Sequence, residues 1–165
     1  MSSAVGTIVK LALLTGVRRS ENAGVREVEL DLSAAEPVLT IHSGRAKNRN
    51  AHRVPLSRQA AELFRDAIAN AGTSEFVFPS ERTATHIAPE SVSQAMERTR
   101  AKLGIEDVAM HDLRRTVGTY MSRLGVPKDI RERILNHGGK RKGSITEGVY
   151  NRYEYNPEKR AALEL

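Results

Sequence analysis

The residues of this chain that could do chemistry fall in short polar stretches between apolar segments, where functional sites tend to lie. They are Thr15-Gly16-Val17-Arg18-Arg19-Ser20-Glu21, Arg45-Ala46-Lys47-Asn48-Arg49 running on to His52-Arg53-Val54-Pro55-Leu56, His111-Asp112-Leu113-Arg114-Arg115-Thr116, Leu135-Asn136-His137, and Val149-Tyr150-Asn151-Arg152-Tyr153. Guanidiniums, ammoniums and imidazoles recur in them, groups suited to an anion such as phosphate. His111 and Arg114 are three apart, which sets both on one face of a helix, within reach of one anion. The whole composition agrees. The 165 residues carry a formal charge of +6, with a pI near 9.9, which favours a polyanionic partner. The absence of cysteine excludes a disulfide scaffold, a cysteine zinc site and a thiol nucleophile. Histidines 42, 52 and 86 have no neighbours that suggest a metal site. There is no tryptophan and only 4% aromatic residues, which argues against base stacking as the main mode of nucleic-acid binding. The longest apolar run, near residues 8–14, contains Lys10 and is too short to span a bilayer, so the expected setting is cytoplasmic.

The elements that must position these residues are mostly helices. Residues 4–14 are apolar at helical spacing and stop at Thr15-Gly16. Val28, Leu30 and Leu32 alternate with Glu29 and Asp31, which predicts a half-buried strand; residues 38–41 and 53–56 predict two more. A basic turn at residues 43–51 would make the last two a hairpin in a small antiparallel sheet. Ser57 caps a predicted helix over residues 58–71, ended by Gly72. Val92, Met96, Thr99 and Leu103 mark the next, closed by Gly104. Leu113, Val117, Tyr120, Met121 and Leu124 mark another, with Tyr120 read as core, and Pro127 opens a helix reaching about residue 136. Residues 139–144 read as a mobile Gly-rich stretch, residues 147–153 as a short helix, and Asn156-Pro157 as the start of a last one. The fold class expected is mainly α with a small antiparallel β-sheet.

Taken together, the polar stretches resemble the sequence boxes of the tyrosine recombinases, the phage integrase family. T-G-x-R-x-S-E is similar to the first arginine box, falling on Arg18; K-N-x-x-x-x-R-V-P-L is similar to the β-hairpin lysine, Lys47. H-D-L-R-R-T resembles the His-x-x-Arg box, on His111 and Arg114, and L-N-H the usual Leu-Gly-His, on His137. V-Y-N-R followed by N-P-E-K-R-A-A-L is similar to the nucleophile segment of prophage integrases, on Tyr150. Each box alone is a weak signal; the order and spacing of all of them, from about residue 11 to residue 163, is a strong one.

The resemblance implies metal-independent strand cleavage and rejoining through a 3′-phosphotyrosyl link, with no cofactor. Attack on a phosphodiester adds charge to its two non-bridging oxygens, which Arg18 and Arg114 would grip; such preorganised stabilisation is usually the largest catalytic term. A phenol has a free pKa of about 10, and a cationic pocket favours its ionised form. His111 would serve as base or hydrogen-bond partner to Tyr150, Lys47 as acid to the leaving 5′-oxygen, and His137 as a donor to a non-bridging oxygen. Glu21 would orient a cationic neighbour. Arg45, Arg49, Arg53, Arg115, Lys140, Arg141 and Lys142 are the expected DNA-backbone contacts. Partners implied are double-stranded DNA and sister copies in a tetramer, with no membrane.

Plainer readings accompany these. Arg18-Arg19 can be a solvated pair, the hairpin a non-specific basic turn, and His137 a helix-terminal residue facing the dipole. Tyr153 and Tyr155 rival Tyr150, which only the resemblance selects. Residues 111–136 have the spacing of a helix-turn-helix, so a non-catalytic DNA-binding regulator is the alternative from another class; a degenerate recombinase fragment is another. The family's N-terminal clamp domain has no counterpart in this chain, which reads as one catalytic domain over residues 1–165 with weak, salt-sensitive DNA binding of its own. The tryptophan that often follows the first box is absent from residues 25–29. The tyrosine segment is expected to be mobile without DNA.

Overall fold

Helix α1 (Ser3–Thr15) turns Val5, Ile8, Leu11 and Ala12 inward, the spacing expected of a helix with one buried stripe. Its last hydroxyl, on Thr15, folds back to the Leu11 carbonyl at 2.6 Å, and Gly16 then turns the chain with a φ of 64°. These details come from a computed structural model, which describes residues 3–105, 108–137 and 154–165. The expected mobile stretch 139–144, the short helix 147–153, Tyr150 and Lys140, Arg141 and Lys142 lie outside the described residues.

A short helix α2 (Arg19–Ala23) follows, then a single 3₁₀ turn (Glu27–Glu29) and strands β1 (Leu30–Asp31), β2 (Val38–Ile41) and β3 (His52–Pro55). The three strands form one antiparallel sheet in the order β1-β2-β3. Leu39 faces Val54 and Ile41 faces His52, so the buried face of β2 is shared by an imidazole on β3. The expected first strand is corrected here. Val28 is 86% exposed whereas Glu29 is buried, the reverse of the apolar-in alternation, and strand pairing covers only two residues. The reason is a charge: Arg45 reaches across and holds the Glu29 carboxylate through both oxygens, at 2.9 and 2.6 Å, which draws the acid inward and the valine out.

Helix α3 (Arg58–Ala71) starts as read: the Ser57 hydroxyl accepts the Ala60 N–H at 3.3 Å, and Ala60, Ala61 and Phe64 are buried. Residues 76–78 run through the core and pair with residues near 25–27, the Val77 N–H donating to the Val25 carbonyl at 2.9 Å. Helix α4 (Pro89–Leu103) takes proline in its first turn and ends at Gly104. On α5 (Met110–Arg123) the buried positions are Met110, Arg114, Val117 and Met121, so a guanidinium occupies a place in the apolar stripe. Tyr120 is 56% exposed and lies under the Arg123 guanidinium, which corrects the reading of it as core; the stripe runs one position round from it. Helix α6 (Lys128–Ile134) and helix α7 (Asn156–Leu163) complete the described elements.

The apolar residues divide into two clusters. One joins α1, the sheet, α3, α4 and Met110; the other joins Val117, Met121, Val126, Ile130, Ile134, Leu135 and Ala162. Gly16 stands at their seam. A side chain there would meet Leu135 Cδ2 at 2.9 Å and Val117 Cγ1 at 3.4 Å, so glycine is required by space as well as by φ. α7 is tied to the sheet by hydrogen bonds: Lys159 Nζ donates to the Arg53 carbonyl at 2.6 Å, and Arg160 to Leu56 and Pro37 at 3.1 and 3.0 Å.

Candidate active site

Arg18 opens α2. Its backbone N–H donates to Glu21 Oε2 at 3.3 Å, so the acid closes the helix start on itself. The Arg18 guanidinium donates to Glu21 Oε1 at 3.2 Å and to the Asn136 carbonyl at 3.0 Å. Glu21 is only 2% exposed, and its Oε1 also accepts the Lys47 N–H at 3.3 Å. One buried carboxylate thus aims the Arg18 guanidinium and fixes the hairpin backbone at Lys47. The Glu21 carbonyl accepts Arg45 at 2.6 Å, fastening the base of the same hairpin.

Arg114 reaches the same place from α5. It is 4% exposed, and it donates to the Gly16 carbonyl, two residues before Arg18. Its second terminal nitrogen is buried and has no hydrogen-bond partner among the described residues. Burial, with the Arg18 charge behind it, pushes the Arg114 pKa down to about 10. The guanidinium stays protonated at neutral pH, held against desolvation and a like charge. The Arg18 and Arg114 charges thus act on each other, an arrangement suited to binding an anion.

His137 follows α6, its N–H donating to the Glu132 carbonyl at 2.9 Å. Burial lowers its pKa first, then the charges of Arg114 and Arg18, so its imidazole sits in the same field and is neutral at pH 7. His111, in the first turn of α5, is exposed and contributes to that field. Lys47 is exposed on the hairpin. Arg18, Glu21, Lys47, Arg114 and His137 are therefore linked through one set of contacts and charges.

The expected DNA contacts divide. Arg49 and Arg115 are exposed, Arg115 bound loosely to Asp112 at 3.1 Å. Arg53 pairs with Glu154 at 3.0 Å while staying partly exposed. Arg45 is turned inward onto Glu29 and Glu21, so its guanidinium braces the hairpin. Tyr155, one rival of Tyr150, is half-buried under the Arg133 guanidinium, 3.7 Å from its ring centre, which suits a structural tyrosine.

Three residues of the site were not singled out by the sequence. Glu29 holds Arg45. Asn48 and Asn136 pair their side-chain amides across the site at 2.7 and 3.2 Å. Asn136 stands where the family box usually has glycine, and its φ is 45°; that departure was the available signal. His52, on β3, is 5% exposed with neither ring nitrogen hydrogen-bonded among the described residues. Burial, then the charge of Lys159, pushes its pKa down to about 4, so it is a neutral core residue behind the site. Among the described residues, no group of three or more acidic or imidazole side chains could hold a metal ion, and no helix is long and apolar enough to cross a membrane.

Comparison with known proteins bears on the fold and the family. Residues 4–156 match the model of the phage integrase family. The chain is 32% identical over 162 residues to the prophage integrase IntZ of Escherichia coli K12, covering 97% of this chain and 38% of that one. It is 30% identical over 129 residues to the integrase of Salmonella phage P22, covering 73% of this chain and 33% of that one. This chain thus spans about a third of the length of either relative. Among solved structures, the integrase of mycobacterium phage Brujita superposes with a TM-score of 0.73 at 20% identity, over 99% of this chain and 52% of that one. The XerH recombinase, in a pre-cleavage complex with its difH substrate, gives 0.68 at 17% identity, over 84% and 42%. The described fold, the clustered arginines and the family match lead to one assignment: the chain belongs to the phage integrase family, the tyrosine recombinases.

Proposed function

We propose that this chain cuts and rejoins duplex DNA as the catalytic part of a site-specific recombinase. The observation that carries the reading is the convergence of Arg18 and Arg114, two guanidiniums from distant parts of the chain, with one of them buried and short of a partner. A phosphodiester bound there would meet paired donors on both non-bridging oxygens, where charge grows as the phosphorus is attacked.

The Tyr150 oxygen attacks phosphorus and the bond from phosphorus to the 5′-oxygen breaks. The phenol proton passes to His111, and the Lys47 ammonium gives a proton to the departing 5′-oxygen. His137, neutral in its cationic surroundings, donates a hydrogen bond to a non-bridging oxygen. The 3′-phosphotyrosyl link keeps the energy of the broken bond, so a 5′-hydroxyl from a partner strand reverses the step without ATP. Recombination of two duplexes takes four such sites, so the working assembly is a tetramer on DNA. The solved neighbours in complex with DNA, XerH bound to difH and the Tn1549 transposon integrase with a circular-intermediate DNA, support DNA as the substrate.

A pool of nicked duplexes that lose a short fragment on cleavage tests this. The wild-type chain should retain DNA through denaturing electrophoresis, and Tyr150→Phe should not. No retained DNA with the wild-type chain would contradict the reading. The match of residues 4–156 to the phage integrase family disfavours a helix-turn-helix regulator.

A further inference from the structure

The hairpin and the end of α6 meet through a pair of asparagines. Asn48 Nδ2 donates to Asn136 Oδ1 at 2.7 Å, and Asn136 Nδ2 donates back to Asn48 Oδ1 at 3.2 Å. Each amide thus donates and accepts in one reciprocal pair, half-buried and 88 residues apart in sequence. Asn48 also approaches the Asn136 carbonyl at 3.4 Å, the same oxygen that accepts Arg18 at 3.0 Å. Asn48 Oδ1 further accepts the Asn50 N–H at 3.2 Å, which shapes the turn around Arg49, itself at a φ of 57°. Each member of the pair is next in sequence to a residue of the proposed machinery: Asn48 follows Lys47, and Asn136 precedes His137.

The choice of asparagine at position 136 carries information. The backbone there is left-handed, with a φ of 45°, a conformation glycine adopts most cheaply and asparagine tolerates. Here the asparagine side chain is engaged through both its oxygen and its nitrogen. We propose that Asn48 and Asn136 are positioning residues, an amide clasp that couples Lys47 to His137 so that the hairpin cation and the imidazole approach the phosphate as a unit. Glu21 anchors the hairpin to α2; the clasp would add a tie to the end of α6 that helps hold the lysine over the leaving oxygen. This rests on the roles proposed above for Lys47 and His137.

The substitution Asn136→Gly keeps the left-handed backbone and removes only the amide; Asn48→Ala removes the other half. On a nicked duplex selected with the wild-type chain, each single variant should form covalent adduct about ten-fold more slowly, and the double variant no more slowly than the slower single, as for residues that act as a pair. A duplex with sulfur at the 5′-bridging position supplies a leaving group that departs without a proton. On it the Asn48→Ala deficit should shrink, because a displaced Lys47 then matters less. A merely structural clasp would give the same deficit on both duplexes. Multiplying effects in the double variant, or an unchanged deficit on the sulfur duplex, would overturn the proposal. If the wild-type chain forms no adduct, the recombinase reading fails and nuclear magnetic resonance still decides the coupling. Asn48→Ala should then shift the His137 amide resonance and Asn136→Gly that of Lys47, and no change across the pair would overturn the clasp.

Discussion

Glu21 and Glu29 decide what the neighbouring arginines can do. Glu21 leaves Arg18 half-buried and aimed at the site, whereas Glu29 takes one edge of the Arg45 guanidinium, through Nε and Nη2, and turns it inward. Breaking a buried pair strands the surviving charge, so Arg45→Met, which leaves the buried Glu29 carboxylate alone, should cost on the order of 3 kcal/mol in urea unfolding, and Glu29→Ala, which leaves Arg45 able to turn toward solvent, less. Sequence spacing gave no sign of this pairing, because Glu29 and Arg45 meet only through the fold of the sheet. Position 52 carries a pH dependence. The native pKa of His52 lies near 4, below its unfolded value of 6.5, so the unfolded chain binds a proton first as pH falls. Stability is full above pH 6.5 and is lost progressively down to about pH 4. Between pH 7.5 and pH 5 the loss from this group is about 2 kcal/mol, and His52→Leu should flatten that part of the profile.

At the scale of elements, the helices were legible because their apolar residues recur at three and four and their ends carry serine, proline or glycine: Ser57, Gly72, Gly104 and Pro157 sit at helix ends as expected. The first strand was not, since two residues leave no pattern and a buried glutamate inverts the alternation. The seam at Gly16 matters most for function, because its carbonyl holds Arg114 and its chain leads to Arg18. Gly16 and Gly104 share a φ of 64°, but only Gly16 is crowded. Gly104→Ala should therefore cost about 1 kcal/mol from the backbone alone. Gly16→Ala should cost about 2–3 kcal/mol, as the added methyl pushes Leu135 and the α1–α5 contact apart. Urea unfolding of the two variants side by side checks the difference.

For the whole molecule, the +6 charge is unevenly used. Arg45 and Arg160 work inside the fold, Arg18 and Arg114 line the candidate site, and Arg49 and Arg115 remain exposed. Binding of duplex DNA should weaken steeply with salt, and Arg115→Ala should lower affinity evenly across sequences and reduce the slope of log K against log salt by about 1. The family boxes were readable along the whole chain; the clasp and the Glu29 brace were not, because they depend on which loops meet. The most direct test of the account is where the DNA becomes attached. Trypsin should release residues 143–152, which contain Tyr150, apart from residues 153–159, which contain Tyr153 and Tyr155. After covalent capture and nuclease trimming, mass spectrometry should find the added 3′-nucleotide on residues 143–152, at Tyr150. Finding it on residues 153–159, or finding no modified peptide, would contradict the account.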